Sequence, residues 1–198
     1  MSLRKSLCRG ALAVAVAAAM APPASATTLV RQSLEKLVSS HSRIVLGEVL
    51  EAHSYWNQEG TFILTDVRFA PRQVLKGSPE DAELTVTLLG GQVGDLTTVI
   101  VGGAELIPGR SYLLFLNEQN LPGAKGALTV REHVQGAFDI LPSQGGARAV
   151  SQAVHHPLLP DKEGSVEPPG GAAGLELSAL IRSIHSIAAR QGSRPEVK

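Results

Sequence analysis

Acid–base or hydrolytic chemistry needs carboxylates or imidazoles that converge, and this chain offers few that its spacing brings together. Glu48, Asp66 and Asp139 stand on separate apolar-alternating segments, so only the fold can make them a paired-carboxylate site. Solvated strand-face charges explain the same pattern, because half of a strand commonly faces water. Of the histidines His41, His53, His133, His155, His156 and His185, only His155 and His156 are adjacent. Adjacent side chains on a strand point to opposite faces, which does not suit one shared ion. No His-Glu-x-x-His motif occurs, and Cys8 is the sole cysteine, so the spacing specifies no zinc site. A serine nucleophile would need a His and an acid beside it, and no Gly-x-Ser-x-Gly elbow is present. Gly90-Gly91-Gln92-Val93-Gly94-Asp95 has the glycines of a phosphate cradle but no basic residue or helix start beside it. It reads as a tight bend with glycines at positive φ. The expectation is therefore no catalytic residue, no metal and no cofactor.

Contact chemistry is better represented. Tyr55 and Trp56 lie at the head of a polar turn, Ser54 to Gly60, and Trp56 is the single tryptophan. An indole placed there either packs beneath the loop, covering one end of a sheet, or meets a partner. Packing is the plainer expectation, and Tyr55 and Trp56 stand as candidate partner-binding side chains.

The elements that must position these residues are mostly strands. Arg43 to Gly77 reads as two long strands around the Ser54–Gly60 turn, with Ile63, Thr65, Val67 and Phe69 alternating against Leu64, Asp66, Arg68 and Ala70. Pro71 lacks an amide hydrogen and marks an edge or a bend. Further strands are expected at Glu83–Leu89, Thr97–Val101, Tyr112–Leu116, Leu128–His133, Gly136–Leu141 and Ala147–Val150. The unbroken apolar run Tyr112–Leu116 suits a strand buried on both faces. Thr27 to Ser40 opens with a short amphipathic helix, capped by Thr27 or Thr28. Leu175 to Arg190 is a second amphipathic helix, with Leu177, Leu180, Ile181, Ile184 and Ala188 in one stripe that must bury somewhere.

Met1 to Ala26 carries the marks of an export signal: Arg4, Lys5 and Arg9, then an alanine-rich apolar run, then Ala24-Ser25-Ala26. The run is too short to span a membrane, which takes roughly 18–20 apolar residues. Cleavage before Thr27 removes three of the 18 basic residues and none of the 18 acidic ones. The resulting mildly acidic surface argues against non-specific nucleic-acid binding. It also leaves no cysteine, so stability must come from an apolar core.

Several of these pieces occur in a recognisable order: Ile44-Val45-Leu46-Gly47-Glu48-Val49, Ile63-Leu64-Thr65-Asp66-Val67, Val74-Leu75-Lys76-Gly77, Gly90-Gly91-Gln92-Val93-Gly94 and Pro108 to Leu116. Together they resemble a group of exported bacterial proteins whose domain is similar to the OB-fold barrel of tissue inhibitors of metalloproteinases and netrin modules. The resemblance covers Thr27 to Leu116, with weaker support to Leu141. Those inhibitors chelate the protease zinc through the backbone amine and carbonyl of their first mature residue, a cysteine, and the next side chain enters the pocket below. The resemblance implies that Thr27 supplies the amine and carbonyl here, with a threonine where the family has cysteine, and that Thr28 supplies the pocket side chain.

The expectation is thus an all-β fold with accessory helices: a small OB-like antiparallel barrel over 27–152, a Pro/Gly-rich linker over 153–174, an amphipathic helix over 175–191 and a frayed tail over 192–198. The expected role is an exported, periplasmic or extracellular, non-enzymatic protein-binding module. Its partner would be another exported protein, with a secreted metalloprotease as the class the resemblance implies. Binding of an oligosaccharide or envelope ligand is an alternative, and an enzyme with a dispersed carboxylate or His site is a second.

Overall fold

The computed structural model describes residues 30–78, 82–131, 133–155 and 170–192. The expected export signal, Thr27 and Thr28, most of the expected linker (156–169) and the tail beyond 192 lie outside the described residues. The chain runs as helix α1 (Leu34–Ser40), then strands β1 (Arg43–Trp56), β2 (Ile63–Lys76), β3 (Leu84–Leu89), β4 (Gly91–Val93), β5 (Leu96–Thr98), β6 (Ser111–Leu121), β7 (Ala124–Val130), β8 (Ala137–Ser143), β9 (Gly146–Ser151) and β10 (Leu175–Glu176), then helix α2 (Leu177–Gly192).

The long hairpin organises the sheet. β1 pairs with β2 along nearly its whole length, and its first half also pairs with β6, Arg43 opposite Leu116 through Glu48 opposite Ser111. The eight-stranded sheet runs β10-β9-β8-β6-β1-β2-β3, with β7 also paired to β6. All of its pairings are antiparallel. β4 and β5 form a separate two-stranded ribbon.

Strand alternation sorts the apolar residues into two cores. Val45, Val49, Val67, Phe69, Val86, Leu114 and Val130 fill one face of the curled sheet. Ile44, Leu113, Phe115 and Phe138 point the other way, against Leu37 and Val38 of α1 and Leu180, Ile184 and Ile187 of α2. Tyr112 through Leu116 are accordingly all fully buried, because successive side chains feed opposite cores. Each such aliphatic side chain contributes about 1.5–3 kcal/mol. α2 therefore packs back on the sheet. Neither helix needs intrinsic stability, and α1, of only two turns, could not persist alone.

Four expectations are corrected. The sheet is not closed into a barrel: among the described residues β3 pairs only with β2, and β7 only with β6. The two strands join through core side chains such as Val86 and Val130. A cleft of about 340 Å³ lies between them, lined by Leu88, Leu89, Gln119, Leu121 and Thr129 among others. Second, α1 begins at Leu34, because Ser33 caps it, Oγ accepting from the Lys36 amide at 3.2 Å. The chain just before it is held by buried Gln135, which donates to the Val30 carbonyl at 3.0 Å and accepts from the Gln32 amide at 2.7 Å. Third, the expected strand Thr97–Val101 is only Leu96–Thr98, and Val99 and Val101 are exposed. Fourth, the ends of the expected linker are structured. Gln152–His155 and Gly171–Ala173 form single 3-10 turns. Arg148 donates to the Ala173 carbonyl, and Gln152 exchanges two bonds with the Glu105 backbone.

No helix among the described residues is long and apolar enough to cross a membrane.

Candidate functional site

The end of the β1–β2 hairpin is built around Asn57, which is 4 % exposed. Its Oδ1 accepts from the Thr61 amide at 2.8 Å and the Phe62 amide at 3.1 Å. Its Nδ2 donates to Glu59 and to the Thr61 hydroxyl, each at 3.1 Å. One buried amide thus satisfies the turn's free backbone donors, an arrangement open to asparagine because it carries both donor and acceptor. The β6–β7 turn closes in on it: a Cβ on Gly123 would come within 2.6 Å of Asn57 Cβ.

Trp56, one residue before Asn57, stays 40 % exposed, so it packs beneath the loop only in part. Phe62, on the other side of the turn, is 48 % exposed. The β4–β5 ribbon lies at this same end. The Gly90 amide donates to the Ile63 carbonyl at 2.8 Å, and Ile63 is the ladder partner of Trp56. Gly91 sits over the hydroxyls of Ser54 and Thr65, closer than any Cβ allows, and its φ of 131° also favours glycine. The expected glycine bend is real, and it serves to lay the ribbon on the hairpin. Leu96 in the ribbon and Val99 and Val101 in the loop after it are 60 %, 79 % and 88 % exposed.

Tyr55 belongs to a polar row across three strands. His53 stands opposite Asp66, and Asp66 opposite Thr87. Thr87 Oγ1 donates to Asp66 Oδ1 at 2.7 Å, and the His53 and Tyr55 rings stack at 6.3 Å. Tyr55 is held above the ordinary phenol pKa of 10.0, first by burial, then by the charge of Asp66 and its hydrogen bond to that carboxylate. Beside this row Arg68 bridges Glu51 at 2.7 Å and Glu83 at 3.1 Å. All three are about half exposed, so these pairs organise the face more than they stabilise it.

The other candidate residues do not converge. Glu48 is paired with Arg72 and Asp66 with Thr87. Asp139 lies opposite Tyr112 and lines a separate cleft of about 390 Å³ with Glu105, Arg110 and Gln152. His41 is buried at the end of α1, where Nδ1 donates to the Leu37 carbonyl at 2.7 Å and the ring meets the Phe115 edge at 5.6 Å. His53 and His185 are exposed on different elements, His133 and His155 fall in two different 3-10 turns, and His156 lies outside the described residues. No three metal-ligating side chains gather among the described residues. Sequence reasoning missed the ribbon's apolar loop and the role of Asn57. The signal for the first was present in Val99-Ile100-Val101, an apolar run directly beside two glycines.

Comparison with protein-family models and with curated proteins finds no match to this chain.

Proposed function

We propose that this protein is an exported, non-enzymatic protein-binding module whose contact surface is the hairpin end. The observation that carries the reading is that Trp56 and Phe62, which flank the Asn57 turn, are exposed, and that the ribbon laid on this hairpin through the Gly90–Ile63 bond leads into a loop whose Val99 and Val101 are exposed as well. Single exposed apolar residues are ordinary, and it is their recurrence on neighbouring elements that supports an interaction surface here. The strand order β3-β2-β1-β6-β7, with β3 and β7 brought together at their side chains, supports reading the sheet as an opened OB-type barrel. In such folds the sheet face and end loops carry binding. A secreted metalloprotease is the partner class that the resemblance adds, with Thr27 and Thr28 as its zinc-facing end and Tyr55 and Trp56 as rim contacts.

The test is co-purification of the mature protein with exported proteins of its own source, and inhibition assays on the metalloproteases among them. The double substitution Val99→Ser and Val101→Ser should abolish retention of the partner while leaving the fold intact. Retention unchanged by that substitution would refute the reading of the surface. Full protease activity at saturating protein would remove the inhibitor version.

A further inference from the structure

A free strand edge is a template for another strand, and proteins guard such edges with proline, charges, bulges or shortness. This sheet uses all four. The β2 edge beyond β3 carries Pro71, Arg72 and Lys76. The second half of β1 is bulged at Leu50 and carries Glu51. β7 carries Lys125 and turns to positive φ at Gly126, and β10 is only Leu175–Glu176. β3 has none of these devices. Leu84-Thr85-Val86-Thr87-Leu88-Leu89 holds no charge, proline or glycine, and its register with β2 runs unbroken from Leu84 opposite Phe69 to Leu89 opposite Leu64. Among the described residues its outer side is unladdered. β7 stands across from it, sharing a core through Val86 and Val130 but no pairing. The edge of another folded sheet would collide with β7 there. A single chain end would not, because the seam opens as the cleft of about 340 Å³.

The cleft's lining selects its occupant. Leu88, Leu89, Ile100 and Leu121 make it apolar, and Arg131 is its one charged residue, with no carboxylate beside it in the lining. Arg131 takes part in none of the ion pairs among the described residues. We propose that the β3–β7 cleft takes the C-terminal end of a partner protein's chain. The last residues of that chain add as a short strand to β3, their apolar side chains meet Leu88 and Leu121, and the terminal carboxylate is held by Arg131. The inference deepens the binding-module reading, on which it rests, by naming what the partner offers. Ile100 links the two places: it lines the cleft while its neighbours Val99 and Val101 are exposed on the contact surface. In strand addition the main-chain hydrogen bonds give affinity and the side-chain pockets give specificity. A guanidinium holds a carboxylate through two parallel charge-assisted bonds, which a neutral chain end cannot match. The volume is at the small end of ligand sites, which suits a chain end rather than a full strand.

The probe is a pool of N-acetylated tetrapeptides of Ala, Val, Leu and Ile, each ending in a free carboxylate. Calorimetric titration of the full exported chain with this pool should show saturable binding. The same pool as C-terminal amides should bind at least about tenfold more weakly, and Arg131→Gln should lose a similar factor for the free acids, with circular dichroism unchanged. A pool methylated on its backbone nitrogens should not bind, because a strand needs those donors. Bound free acids should also slow hydrogen exchange at the β3 amides that do not bond to β2. No binding of the free acids would overturn the proposal, as would equal binding of acids and amides or tolerance of backbone methylation. A chain that ignores every pool yet retains an exported partner sensitive to Val99→Ser and Val101→Ser would overturn the cleft site alone and leave the binding-module reading standing. Binding of the free acids with partner retention indifferent to that substitution would uphold the cleft site and refute the hairpin-end surface.

Discussion

Gly47 stands opposite Pro71 across the β1–β2 ladder, at one of the three places where its register shifts. A Cβ on Gly47 would run into the Ala70 carbonyl oxygen and lie 2.7 Å from Phe69 Cε1. The two residues together bend the long hairpin. Glycine lets the strands approach, and proline breaks the ladder where β2 loses β3 as its other neighbour. Gly47→Ala should cost about 3 kcal/mol, because the obstacle is backbone and cannot swing aside. Pro71→Ala should cost less than about 1 kcal/mol, since alanine accepts the same backbone conformation. Urea midpoints at constant m-value check both.

The second core makes α2 part of the fold. Leu180 is 1 % exposed and Ile184 is 0 %, and both pack in the cluster that holds Leu113, Phe115 and Phe138. Leu180→Ala and Ile184→Ala should each destabilise by about 2–5 kcal/mol. His185→Ala, on the exposed side of the same helix, should stay within about 0.5 kcal/mol. A helix that served only as a detached surface element would leave all three unfolding midpoints alike.

That packing was legible in the stripe Leu177, Leu180, Ile181 and Ile184, as the hairpin was in its alternation and the doubly buried β6 in Tyr112–Leu116. Other features rest on relations between distant segments. Nothing local to β3 or β7 says whether their edges are hydrogen-bonded or only packed, so closure of the sheet could not be read. The run Thr97–Val101 has strand propensity throughout, yet among the described residues β5 finds a partner only in Gly91–Val93 and stops at Thr98. The Asp66 row is invisible in sequence because His53 and Thr87 reach it from strands whose register is set by distant turns.

Alkaline pH should destabilise the fold through Tyr112. This phenol is buried, and burial is the main cause holding its pKa above the ordinary 10.0. From pH 10.0 upward the unfolded chain gives up that proton before the folded one, so it binds fewer protons and stability falls with rising pH. Lys76 works the other way, its pKa lowered by desolvation below 10.5, so stability gains slightly up to that pH. The net loss should therefore become steep only above it. Tyr112→Phe should reduce this loss, and Tyr55, also held above 10.0, should account for part of what remains. At neutral pH the substitution should cost about 1–2 kcal/mol, because the Ile107 amide, which donates to the Tyr112 hydroxyl at 3.0 Å, loses its acceptor. Urea melts at pH 7 and at several values above 10 would separate the two effects.

The Asp66 row yields a spectroscopic prediction. The chain has only two tyrosines, Tyr55 and Tyr112, so phenolate absorbance reports on two groups. Asp66→Asn removes the negative charge beside Tyr55 but keeps an acceptor for the phenol and for Thr87 Oγ1. The Tyr55 pKa should fall toward its ordinary value without reaching it, because burial, the largest cause of its shift, remains. Tyr112, whose shift involves Asp139 and Glu105 rather than Asp66, should titrate as before. Exchanging a charged acceptor for a neutral one should cost about 1 kcal/mol of stability. If instead Tyr55 titrated unchanged in Asp66→Asn, the carboxylate would not be reaching the phenol, and the row would reduce to the Asp66–Thr87 bond beside a stacked pair of rings.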